Sequence, residues 1–255
     1  MSVITSRPPM DYASLSNRIV ELTDLDFEPV AVYLPAPGAS HRVFDGWKRL
    51  ERHRYCQALM RARKGDSVVL SGEEIACPAA ASAFGFHALP ENLASGKGLV
   101  GFGIVQAPPT GKAMFDGMTR LEPGSVDFIA ACPLSVAPSP PDVVVVEGAT
   151  ESLMWLLLAE VNRSGGKRQL GSTAVLQATC VDATVIPMRE QRMNFSLGCY
   201  GCREATDLDT AEAVLGFPGV LLGELAASLE GLADKAIPRS RAKRAFQLLD
   251  KSKEC

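Results

Sequence analysis

Cys199 and Cys202 stand in a C-Y-G-C spacing within the stretch SLGCYGCREATD, and Cys56, Cys77 and Cys180 precede them in a chain of seven cysteines. Two thiols three positions apart can form a redox pair, supply half of a metal site, or coincide by accident. Four thiolates meeting at one point are what a tetrahedral zinc site or a four-iron cluster takes, because soft sulfur suits both and each iron of such a cluster accepts one protein sulfur. Structural zinc is ordinarily held by two tight cysteine pairs, and only Cys199 and Cys202 have that spacing. A ferredoxin clusters three of its ligands, which this chain does not do. The spacing therefore favours a dispersed iron–sulfur set (4Fe-4S) on Cys56, Cys77, Cys180 and Cys199, with zinc as the alternative cofactor.

Each cysteine also has a plain packing explanation. Cys56 lies in an amphipathic helical pattern and Cys180 opens an apolar run, so either can simply fill core volume. Cys132, before Pro133, and the terminal Cys255 have no counterpart and read as core and tail. Cys77 and Cys199 each precede a helix start, CPAAASAFG and CYGCREATD, where free N–H groups favour thiolate over thiol. Around the set, His53 falls three residues before Cys56 and thus on the same helical face, whereas His41 and His87 have no motif around them. Arg203 can hold an anion or offset cluster charge, with an exposed ion pair as its ordinary role. Glu73 and Glu74 read as turn residues. GLVGFG and SGGKRQLGS match neither a dinucleotide fingerprint nor a P-loop.

The elements that must position these residues alternate in type. EPVAVYL (28–34), DSVVL (66–70), LVGFGIVQ (99–106), VDFIAACPL (126–134), DVVVVEG (142–148) and CVDATVIPM (180–188) read as strands. DGWKRLERHRYCQALMRARKG, ATESLMWLLLAEVNRSGG, DTAEAVLGFPG and VLLGELAASLEGLADKA read as helices. The fold class is α/β or α+β. The Pro-rich segment CPLSVAPSPPD separates an N-terminal half (1–135) from a C-terminal half (136–255), packed as one unit. Cys56 and Cys77 are 21 positions apart, Cys180 and Cys199 are 19 apart, and each pair leads to a helix and a Gly-Phe. An internal repeat about a pseudo-twofold axis would bring the two pairs to the interface between the halves.

The order CQALMRARKGDSVVLSGEEIACPAAASAFGF, ATCVDATVIPM and SLGCYGCREATDLDTAEAVLGFPG resembles a family of bacterial and archaeal proteins, the domain of unknown function 169, sometimes labelled an archaeal cysteine-rich group. The resemblance spans roughly residues 19–232, and S-L-G-C-x-G-x-R-x-x-T is its most specific part. It implies that the matching thiols are Cys56, Cys77, Cys180 and Cys199, and that Cys202 stands where relatives carry another residue. It implies no settled activity.

The net charge of -3 and a pI near 5.7 argue against a nucleic-acid surface. The basic run PRSRAKRAFQLLDKSKEC reads as a solvated terminal helix face. No segment has the apolar length of a signal peptide or membrane span, so the expectation is a cytoplasmic protein whose cysteines stay reduced. The resulting expectation is a redox or cluster-based catalytic role with a redox partner protein or small-molecule substrate. A thiol or sulfur-transfer enzyme using Cys199 and Cys202, or a binding module with structural zinc, are the alternatives.

Overall fold

The computed structural model describes residues 10–233 and 235–237; Cys255 and the basic run beginning at Pro238 lie outside them. The strands are β1 (Val30–Tyr33), β2 (Lys48–Arg49), β3 (Val68–Ser71), β4 (Phe128–Pro133), β5 (Val143–Ala149), β6 (Asn194–Ser196) and β7 (Glu212–Pro218). The helices are α1 (Tyr12–Thr23), α2 (Tyr55–Arg63), α3 (Pro78–Ala83), α4 (Glu91–Ala94), α5 (Lys97–Gly101), α6 (Pro108–Asp116), α7 (Thr150–Ser164), α8 (Ile186–Glu190), α9 (Tyr200–Ala205) and α10 (Leu222–Ala233). A π-helix, Ala178–Val185, runs directly into α8.

The strands form a single mixed sheet in the order β2-β3-β4-β1-β5-β7-β6, with β2 and β3 parallel and every other pair antiparallel. Helices cover both faces, which is why VAVY and VVVV are apolar at every position instead of alternating. Val30, Val32, Leu70, Ile129, Val143 and Val145 point to the face covered by α2, α3, α6 and the π-helix. Ala31, Tyr33, Ala130, Cys132, Val144 and Val146 point the other way, against α1, α7 and α10. The alternation is the two-residue period of a strand expressed in a fully buried sheet.

Four segments differ from the sequence expectation. Residues 180–188 are π-helix and α8, and DTAEAVLGFPG contains strand β7. Both are short apolar runs buried on all sides, for which periodicity cannot separate strand from helix. Residues 99–106 begin within α5, where Leu99 is fully buried and Phe102 is exposed, a one-sided burial that a single helical turn satisfies. The helix expected from residue 45 starts only at Tyr55: Arg52 takes a left-handed φ of 50°, and Trp47 packs against Tyr33 and Phe44.

At the centre, Ala31 faces Val144, flanked by the Val30–Val145 and Val32–Val143 pairs. Outward from this pair come β4 and β7, then β3 and β6. Both β4 and β7 end on a proline, Pro133 and Pro218, that enters a 3-10 turn. After β3, Cys77 occupies the N-cap of the six-residue α3; after β6, Cys199 does the same for the six-residue α9. The two parts of the chain thus contribute to one continuous sheet, and no repeat between them is established by this order.

The π-helix is seated on β7 through Gly216. A Cβ built there would lie 1.8 Å from the Ala183 carbonyl oxygen, so the two backbones touch only because no side chain intervenes. Gly216→Ala should push the π-helix off the sheet and lower stability by about 1–3 kcal/mol, the usual cost of overpacking. Urea unfolding read by circular dichroism checks this, and an unchanged midpoint would refute the close contact.

Candidate functional site

The cysteines reach one place from four elements. Cys56 lies on α2, Cys77 at the start of α3, Cys180 on the π-helix, and Cys199 and Cys202 at the start and in the first turn of α9. All five line a cavity of about 140 Å³, together with Arg54, Thr179 and Tyr200. Cys56, Cys199, Cys202 and Ala178 also form a small apolar cluster of their own. The cavity is lined from α2, α3, the π-helix and α9, and Cys180 of the π-helix belongs to the same core cluster as the central valines.

Local geometry turns the sulfurs toward one another. Gly198, at φ 74°, makes the turn after β6 that releases Cys199 into the cap of α9. The Cys202 N–H donates to Cys199 Sγ at 3.2 Å, and the Cys199 thiol donates to Cys202 Sγ at 3.1 Å. Thr179 Oγ1, one residue before Cys180, approaches Cys202 Sγ at 3.6 Å. The π-helix makes this possible. Its Asp182 N–H reaches back to the Gln177 carbonyl at 3.0 Å, a five-residue step that accommodates an extra residue and re-aims those around it. Thr184, buried below, accepts or donates at 2.8 Å with the Tyr55 hydroxyl and ties the π-helix to α2.

Five thiols in one buried cavity cannot all ionise. The hydrogen bond to Cys202 and then burial push Cys56 and Cys199 up, and burial pushes Cys180 and Cys77 up. Donors from Cys199, Cys56 and Thr179 hold Cys202 well below the ordinary thiol value, against the effect of burial. This reverses the sequence expectation that helix starts would favour thiolate at Cys77 and Cys199. The N–H groups of Ala79 and Ala80 do act on Cys77, but burial outweighs them. Cys202, expected to be peripheral, is the sulfur around which the others gather.

The remaining expected residues separate cleanly. Cys132 is buried on the opposite face of the sheet, as a core residue. His53 precedes α2, bridges Ile75 through its backbone, and does not line the cavity. Glu74 is a turn residue whose carboxylate accepts the Arg52 N–H at 2.8 Å. Arg203 turns away from the thiols and donates to the carbonyls of Leu197, Asp209 and Glu212, stapling the ends of β6 and β7. The cation that faces the thiols is Arg54, which sequence reasoning missed. Its Nη1 donates to the Gly201 carbonyl at 2.7 Å, and a Cβ at Gly201 would meet both Arg54 Nη1 and Cys199 Sγ. Its only sequence signal was its position two residues before Cys56.

Behind Cys56, on the same helix, Arg63 is almost fully buried. It sits 3.3 Å from Glu147, 2.7 Å from Asp207 and 3.6 Å from Glu212, with its guanidinium over the Phe27 ring. Burial raises Glu147 to about 7 despite Arg63, with Glu212 and the Cys202 charge adding to the rise. Burial likewise raises Asp182 to about 6, although Thr173 donates to it twice. Two carboxyls thus hold their protons to higher pH than ordinary carboxylates, Glu147 to about neutrality and Asp182 to about pH 6.

As they stand, no three His, Cys, Asp or Glu side chains among the described residues are arranged to hold a metal ion. The donor chemistry nevertheless fits a soft metal group: five thiols from four elements share one cavity, with no imidazole among its walls and Glu204 the one carboxylate, exposed at its mouth. Among the described residues no helix is long and apolar enough to cross a membrane.

The raised carboxyls set a pH dependence. From the ordinary carboxylate range up to about pH 7, the folded chain keeps protons that the unfolded chain has released, so stability falls as pH rises and levels off above that window. Urea midpoints should decline from about pH 5 to about pH 7, and Glu147→Gln should flatten the upper part of the slope. An identical slope in the variant would show that Glu147 ionises normally.

A family profile, that of the domain of unknown function 169 (DUF169), described as uncharacterised ArCR, matches residues 18–228. An uncharacterised protein of Methanocaldococcus jannaschii, MJ0308, is 27% identical over 218 residues, covering 84% of this chain and 92% of its own length. No solved structure matches the chain.

Proposed function

The chain belongs to the DUF169 family, and we propose that its thiol cavity holds an iron–sulfur cluster, of the four-iron type, ligated by Cys56, Cys77, Cys180 and Cys199. The observation that carries this reading is that thiols separated by up to 143 positions in sequence line one buried cavity. Protonated thiols pack together as they are, but as thiolates each one added to a low-dielectric site is disfavoured by those already there. A bound cationic centre removes that penalty by deprotonating its ligands outright. A bound cluster would supply one-electron transfer.

The chain's own residues would do the rest. Arg54 offsets the negative charge of ligating thiolates from one side of the cavity. The Cys202 N–H donates to Cys199 Sγ, and the N–H groups of Ala79 and Ala80 to Cys77, which favours the ionised sulfur in both. Tyr200 and Glu204, both exposed, mark the mouth at which a redox partner or a small-molecule substrate would meet the site. The family profile and the uncharacterised relative support no particular reaction.

Protein purified without oxygen should be brown, with iron and acid-labile sulfide each about four per chain. Cys180→Ser and Cys199→Ser should lose both equally, while Cys202→Ser should retain them. Stoichiometric zinc without sulfide would favour the structural-zinc alternative, and a metal-free chain with one reactive thiol would favour the sulfur-transfer alternative. Either result ends the cluster reading, and equal loss in Cys202→Ser would mean that Cys202 is a ligand.

A further inference from the structure

A four-iron cluster on Cys56, Cys77, Cys180 and Cys199 leaves the fifth cavity thiol, Cys202, without a part in ligation. Its placement is nonetheless closely specified. Cys202 Sγ is 3.1 Å from Cys199 Sγ, and both sulfurs are brought inward by the first turn of α9. A disulfide bond is about 2.05 Å long, so closure requires the two sulfurs to approach by roughly a further ångström. Residues three apart at a helix start have side chains on the same side, which makes the approach a local adjustment of one turn. Thr179 Oγ1 holds Cys202 in place from the other side.

Access sorts the candidate oxidants. Cys199 and Cys202 are 6% and 7% exposed, so bulky reagents cannot reach them from outside. The cavity of about 140 Å³ admits about five water-sized molecules. A peroxide the size of hydrogen peroxide fits, whereas a tripeptide disulfide does not.

We propose that, in the cofactor-free chain, Cys199 and Cys202 are a peroxide-reactive dithiol that closes to a reversible disulfide and thereby withholds Cys199 from ligation. One sulfur attacks a peroxide oxygen, the O–O bond breaks, and a sulfenic acid and one water form. The second sulfur attacks the first, the S–O bond breaks, and a second water leaves with the remaining proton. Two thiols and one hydrogen peroxide thus give one disulfide and two waters. A small dithiol reverses the step by thiol–disulfide exchange.

The withholding of Cys199 rests on the ligand set proposed above; the disulfide itself does not. The test uses the full-length, metal-free, reduced chain treated anaerobically with hydrogen peroxide, then unfolded in denaturant with an alkylating agent and mapped by mass spectrometry. The expected result is the loss of two hydrogens, a single Cys199–Cys202 cross-link, and restoration of both thiols by dithiothreitol. Cys202→Ser should form no cross-link and stop at a sulfenic acid on Cys199 that dimedone traps once the chain is unfolded. Both sulfurs remaining alkylatable, or a cross-link joining another pair, would overturn the proposal. Iron uptake by the oxidised and reduced chains is measured in parallel. Uptake lost on oxidation supports the withholding of Cys199, and equal uptake by both refutes it. A reduced chain that takes up no iron while the cross-link forms removes the cluster reading and leaves the dithiol standing.

Discussion

The antiparallel contact between β1 and β5 is the constraint from which the rest of the arrangement follows. With Ala31 opposite Val144, the N-terminal and C-terminal parts of the chain share one sheet, with β4 and β3 on one side and β7 and β6 on the other. Opposed residues of an antiparallel pair point to the same face, so elements that pack on that face from either half meet over the centre. α2 from one half and the π-helix from the other do so, and each carries a cysteine. Had β1 and β5 paired with a one-residue slip, Val30 and Val145 would have exchanged faces relative to each other, and the two helices would have lost a common floor.

Upon that floor the dominant energy at the site is electrostatic. A thiol cluster in a buried cavity is stable while its members are protonated or neutralised, and unstable as a set of bare anions. The protein tolerates one charge, at Cys202, by aiming three donors at it. The same economy governs the neighbouring carboxyls: Arg63 compensates part of the charge of Glu147, Asp207 and Glu212, and burial keeps Glu147 protonated to about neutrality.

Arg203 shows how a reasonable local inference can miss. It follows directly on Cys202 and so invited an electrostatic role, but α9 is a single short helix and Arg203 leaves its far side, where three carbonyls at strand ends need donors. Arg54 reaches the cavity from a different element, 147 residues from the Gly201 carbonyl that it contacts. Adjacency along the chain predicted the wrong arginine because helix geometry, and not sequence distance, decides which way a side chain faces.

The α/β class, the two principal helices α7 and α10, the helix starts after Cys77 and Cys199, and the core role of Cys132 were legible in composition, periodicity and punctuation. Those signals are local, and they survive because Pro78, the glycines after α7 and the unbroken valine runs restrict the backbone wherever the chain goes. Cys56, Cys77, Cys180 and Cys199 stood out by their spacing, and all four line the cavity. What the tertiary structure decided is the identity of runs buried on every side. The stretch containing Cys180 became π-helix and the one after Asp209 became strand, because each had to fit what lay against it, down to the contact between Gly216 and Ala183. It also decided that Cys202 belongs with the other four. A three-residue spacing permits a thiol to face its neighbour, but only the crossing of α2, the π-helix and α9 brings Cys56, Cys180 and Thr179 to the same cavity.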